Sequence, residues 1–250
     1  MESDPPKPKN SLAEDASQIA GGSAIVMAGG LVDRAVRMIT TWFLSGALGP
    51  AAFGLYAFAT TVVAILGWIA PLGMDAGVSM YSARYRKTKE YGKLKGVLIS
   101  TLGSVALSGP LFALATWLCV RQGWVLADSP DEANAIIAIS AGIALAAMLF
   151  VACFNLVSQK DMVGQAWAQQ ITLPIATLFG AGIAIFFDYG VDGVLTAFVV
   201  AHALALIVAA QRIWKSDGPL LLDKRIQPIF DWQNLLRYAV PQSFARVLYR

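Results

Sequence analysis

The sequence predicts an all-α integral membrane protein: a six-transmembrane-helix bundle plus the start of a seventh helix, with the N-terminus cytoplasmic. Three observations carry that expectation. Of 250 residues, 57% are hydrophobic and only 14% charged, against ~25% charged in an average soluble protein. Six apolar segments, roughly 22–47, 52–80, 96–120, 135–158, 164–187 and 190–213, are each long enough for a membrane helix and lack strand alternation. Basic loops alternate with neutral or acidic ones between them. Because hydrocarbon cannot satisfy backbone N–H and C=O groups, a helical bundle is the default for such spans.

Residues 1–20 are polar and carry Pro5, Pro6 and Pro8. They read as a disordered cytoplasmic tail, since no short apolar core with a cleavage site follows. The first segment ends in an uncharged turn, GALGPAAFG. The second contains Pro71 between Gly67 and Gly73, and Asp75 near its end. The stretch after it, ARYRKTKEYGKLKG, holds Arg84, Arg86, Lys87, Lys89, Lys93 and Lys95 against Glu90 alone. The third segment has Pro110 after Gly109, and the loop beyond it has Arg121 but also Asp128, Asp131 and Glu132. The fourth is alanine-rich over 141–147 and is followed by Lys160 and Asp161. The fifth carries Pro174, and its turn into the sixth holds Asp188 and Asp192. Arg212, Lys215, Lys224 and Arg225 follow the sixth. By the positive-inside rule the basic loops are cytoplasmic and the first helix runs outward. The prolines read as ordinary kinks or as hinges for alternating access.

The domain reading follows: tail 1–20, six-helix bundle 21–214, cytoplasmic linker 215–234, and the start of a second bundle at 235–250, where Pro241, Arg246 and Arg250 lie. The chain is expected to be part of a longer transporter.

Asp33, Arg34 and Arg37 sit in the middle of the first segment. An Arg or Asp at a membrane helix centre costs about 2.5–3.5 kcal/mol on the milder scales, so such residues face a protein interior or a wet cavity. Their i, i+3 and i+4 spacing puts them on one side of a helix, with Asp33 able to pair with Arg37. Counting residues places Arg34 and His202 both ~18 Å deep. This suggests a hydrophilic cavity for an anionic head group such as a lipid-linked pyrophosphate, whose oxygens suit the planar Arg fork. The alternative is a structural Asp33–Arg37 pair with Arg34 snorkelling to the interface. Asp75 is a candidate for ion coupling or for pairing with a basic side chain. His202 is a candidate proton-responsive group or a packing residue. Cys119 and Cys153 lie in apolar runs and read as packing residues. No phosphate-binding G-x-x-x-x-G-K-[ST] motif and no Cys/His cluster occurs. No catalytic residue, metal or cofactor is expected.

The stretches FLSGALGPAAFGLYAF and LGMDAGVSMYSARYRK carry a family likeness. With central arginines in the first helix, they resemble the polysaccharide and oligosaccharide (O-antigen type) flippases of the multidrug/oligosaccharidyl-lipid/polysaccharide exporter superfamily. That resemblance implies an N-terminal six-helix half of a two-bundle transporter. It implies movement of an undecaprenyl-pyrophosphate-linked oligosaccharide across the bacterial inner membrane. The cationic cavity residues of such flippases would correspond here to Arg34, Arg37, Arg246 and Arg250. Expected partners are the lipid-linked oligosaccharide, membrane lipids and polysaccharide-assembly proteins, not nucleic acid. Two other readings stand beside it: a multidrug or cation exporter of the same superfamily, and a membrane enzyme of polysaccharide assembly such as a polymerase or acyltransferase.

Overall fold

The computed structural model describes residues 9–123 and 129–248. Among these the ordered elements are helices: α1 (Lys9–Ile69), α2 (Met74–Thr88), α3 (Tyr91–Arg121), α4 (Pro130–Ile139), α5 (Ala141–Ser158), α6 (Met162–Gln165), a π-helical stretch (Ala166–Thr172), α7 (Leu173–Phe186), α8 (Gly190–Leu222) and α9 (Trp232–Leu248). Among the described residues, five helical stretches are long and apolar enough to cross a membrane. The first of them is two helices. Gly49, at φ +75°, breaks α1 just before Pro50. A left-handed Gly followed by Pro at the first position of the next helix is a favoured joint. The chain reverses there: Arg37 and Thr61 line one cavity, whereas an unbroken helix would hold them ~36 Å apart. The uncharged GALGPAAFG turn is therefore where the sequence placed it.

The remaining breaks also follow local chemistry. After Ile69 the chain passes through Leu72 (φ +51°) and Gly73 (φ +79°) before α2 resumes. Ser129 caps α4, its hydroxyl accepting from the Glu132 N–H at 3.2 Å, with Pro130 in the first turn. That cap starts the helix five residues before the apolar run at 135 does. The fifth run widens into the π-helical stretch immediately ahead of Pro174, whose ring clashes with the carbonyl four residues back and whose N–H is missing.

Other sequence-based boundaries shift as well. Helix α1 begins at Lys9, so residues 9–20, expected as disordered tail, have helical backbone; residues 1–8 lie outside the described ones. Helix α8 runs to Leu222, beyond the end at 213 that the apolar pattern gave. The segment after it is docked rather than slack: the Ile229 N–H donates to the Gly92 carbonyl at 2.9 Å, and Lys95 donates to the Asp223 carbonyl at 2.7 Å.

The bundle packs by small residues. Gly67 faces Ala146, Gly109 faces Ala144 and Gly180 faces Ala197, which lets helix backbones approach closely. Directions alternate accordingly: Leu44 packs with Ala181, Ala184 and Val194 at one end, and the Ser108 hydroxyl donates to the Ala70 carbonyl deeper in. Helix α9 belongs to the same core, with Leu235 and Ala239 buried against Met74 and Val78. The outer surface is apolar, Trp42 and Phe186 being 78% and 82% exposed, as a lipid-facing surface requires.

Gly73 joins two of these constraints. Its φ is left-handed, and a Cβ there would collide with the Ala239 backbone carbonyl of α9. Gly73→Ala is expected to lower the thermal midpoint in detergent. The left-handed strain alone contributes about 1–2 kcal/mol, and the backbone clash forces α9 outward. An unchanged midpoint would show that α9 is not seated on this break.

Candidate functional site

A cavity of about 520 Å³ opens between the two halves of α1, α7 and α8. Arg37, Thr40 and Thr41 reach it from the first half of α1, and Tyr56, Thr60 and Thr61 from the second. Pro174 and Thr177 contribute from α7, and Phe198 and His202 from α8. The Gly49 reversal creates this cavity by folding the two halves of α1 beside each other. A smaller chamber of about 110 Å³ adjoins it, lined by His202, Gln169, Gly67 and Trp68. His202 therefore borders both.

Asp33 and Arg37 pair as their spacing predicts. The Arg37 Nε donates to Asp33 Oδ1 at 2.8 Å, one helical turn apart, and the Arg37 side chain stays 53% exposed. The pair uses Nε, which leaves the two terminal guanidinium nitrogens available at the cavity wall. His202 is buried beside Phe198, ring centroids 4.4 Å apart. Its Nδ1 lies 2.9 Å from the Phe198 carbonyl. A carbonyl can only accept, so Nδ1 carries the hydrogen and Nε2 of the neutral ring is an acceptor.

Not every residue expected at the site is there. Arg34 is exposed and lies one turn of α1 below the cavity. Depth counting matched it with His202, but the structure sets Arg37 there. Asp75 is fully buried in the first turn of α2, beside the α9 contact and away from the cavity lining. The Arg246 side chain and Arg250 lie outside the described residues.

The sequence reading missed a polar network at the basic end. Asp217 is 1% exposed. Arg86 Nη2 donates to both its carboxylate oxygens, at 2.6 and 2.7 Å. Gln159 Nε2 donates at 2.7 Å and Asn155 Nδ2 at 3.4 Å. Ser216 in turn donates to Gln159 Oε1. Helices α2, α5 and α8 are thereby fastened through one carboxylate. Nearby, Tyr85 donates to Asp231 at 3.3 Å, and the Asn234 side chain, hydrogen-bonded to Asp231, holds that carboxyl below its ordinary range. The sequence signal was the i, i+4 pair Asn155 and Gln159 at the end of an apolar span, facing an Asp just past another.

Residues 19–250 match a family model described as polysaccharide biosynthesis protein. No curated protein matches the chain. Several solved structures share its fold. One is a MATE in the straight conformation, at TM-score 0.75 and 18% identity, covering 92% of this chain and 53% of that one. Another is a multidrug resistance MATE family transporter of the MOP superfamily in an outward-facing conformation, at 0.76 and 17%, covering 92% and 52%. A third is a MOP superfamily transporter from Pyrococcus furiosus described as having a binding pocket of reverse polarity, at 0.69 and 18%, covering 92% and 52%. Identities this low carry the fold alone. The chain spans about half the length of these transporters.

Proposed function

Because the chain belongs to the polysaccharide biosynthesis protein family, we propose that it moves an undecaprenyl-pyrophosphate-linked oligosaccharide across the bacterial inner membrane by alternating access. The observation that carries this reading is the placement of Arg37 on a cavity walled by threonines, Tyr56 and His202. A guanidinium can hold two phosphate oxygens at once, and hydroxyl and imidazole groups suit a sugar. In this reading the basic end faces the cytoplasm, residues 21–214 form the first bundle, and α9 opens the second, where Arg246 and Arg250 would add cationic lining. His202, bordering the cavity, is the better placed of the two coupling candidates; Asp75 is remote from it.

The fold likeness by itself fits a multidrug exporter equally well, since one neighbour is a multidrug resistance transporter. The cavity's own chemistry favours the lipid-linked reading, because a guanidinium on the wall raises the cost of a cationic drug. Proteoliposomes carrying the protein and a fluorescent lipid-linked oligosaccharide are expected to expose inner-leaflet label to an impermeant quencher faster than protein-free vesicles. Uptake of a lipophilic cation such as ethidium, with no movement of the sugar lipid, would overturn the proposal.

A further inference from the structure

Most of the hydrogen-bond donors around the cavity are already used, and each is used in the same way. Thr40 donates to the Val36 carbonyl at 2.8 Å, Thr60 to the Tyr56 carbonyl at 2.8 Å, Thr61 to the Ala57 carbonyl at 2.7 Å and Thr177 to the Leu173 carbonyl at 2.8 Å. His202 Nδ1 engages the Phe198 carbonyl by the same one-turn step. A threonine hydroxyl has one proton and two lone pairs. Once its own helix takes the proton, what remains for the cavity is acceptor. The same holds for Nε2 of His202. Arg37 and Tyr56 supply donors to the same cavity.

We infer that the threonine wall, with His202 Nε2, reads ligand hydroxyl groups, so that Thr60 and Thr61 help select a glycosylated ligand over the same lipid diphosphate without its sugar. The inference rests on the proposed transport reading and adds a division of labour to it. Arg37 holds the anionic linkage that both ligands share. The acceptors meet the polyol that only one of them has. A ligand that cannot donate leaves those lone pairs desolvated without partners, which is the stronger source of discrimination. Arrangement supports the same division, since Thr60 and Thr61 line the cavity from the second half of α1 and Arg37 from the first.

The test is binding of two short-chain polyprenyl diphosphates, one glycosylated and one bare, to the detergent-solubilised protein. Thr60→Val and Thr61→Val keep side-chain shape while removing the acceptor. Each is expected to weaken the glycosylated ligand by roughly threefold to tenfold and to leave the bare one unchanged. Thr60→Ser and Thr61→Ser, which keep an oxygen, should restore the difference. The ratio between ligands is insensitive to a general loss of folded protein. Equal effects on both ligands, or none on either, would overturn the threonine assignment, while a loss of both ligands on Arg37→Gln would leave the transport reading standing. Failure of both ligands to bind the unaltered protein would overturn both readings.

Discussion

Arg37→Gln is expected to abolish movement of the lipid-linked oligosaccharide while leaving the protein folded and inserted. Removing one partner of a close charge pair costs about 2–5 kcal/mol, or roughly 30-fold to several thousandfold in affinity. The fold should tolerate the change. Arg37 is more than half exposed and its pair with Asp33 is a one-turn helix pair, a class contributing only about 0.3–0.5 kcal/mol. Arg37→Lys keeps the charge but loses the fork and should retain partial activity. Arg34→Gln, one turn below the cavity, should change the rate less than about threefold. Flux in proteoliposomes, with a monodisperse elution profile as the folding control, measures all three. Equal losses from Arg34→Gln and Arg37→Gln would mean that the described cavity is not where the charge acts.

The second large effect is on stability. Asp217→Ala is expected to destabilise the bundle by about 2–4 kcal/mol. Breaking a buried ion pair costs about 3–5 kcal/mol because the other charge is left stranded. Here Arg86 keeps 27% of its side-chain surface, so water recovers part of that. Gln159 and Asn155 would also lose their acceptor. Asp217→Asn retains the shape and some of the hydrogen bonds, and should fall between. Replacing both charges, as in Arg86→Met with Asp217→Leu, should recover most of the loss, since well-packed apolar pairs often match buried ion pairs. Thermal midpoints in detergent decide it. Additive losses in the double replacement would show that the two side chains do not act as a pair.

Much of the fold was legible because a membrane allows few solutions. Apolar length, the Gly49–Pro50 joint and the loop charges together dictate a bundle with alternating helices, and the one-turn spacing of Asp33 and Arg37 dictates their pairing. What escaped was chemistry spread across distant segments. Arg86 reads as one more basic residue in a topology-setting loop. Asp217, in the run KSDGP, reads as loop because Gly and Pro usually end a helix. The helix continues through it because the carboxylate is held by residues 131 and 58 positions away. Likewise the polar segment 223–231 looks like a free linker, yet glycines at 92 and 96 let its backbone lie against α3. At the site, counting residues set Arg34 level with His202, whereas Arg37 is the one that lines a cavity with it. The Gly49 reversal decides which of them meets Tyr56 and Thr60. The threonine wall was invisible as well, since a threonine in an apolar span reads as packing until its hydroxyl direction is known.

The cavity between the two halves of α1 is proposed to receive the diphosphate and sugar of a lipid-linked ligand. Photo-crosslinking with a ligand bearing a diazirine on its first sugar tests this most directly, read by mass spectrometry of the labelled peptides. Label is expected on the segment holding Tyr56, Thr60 and Thr61, and is expected to be lost on Arg37→Gln. Label confined to the lipid-exposed face around Phe179 and Phe186, and indifferent to Arg37, would contradict it.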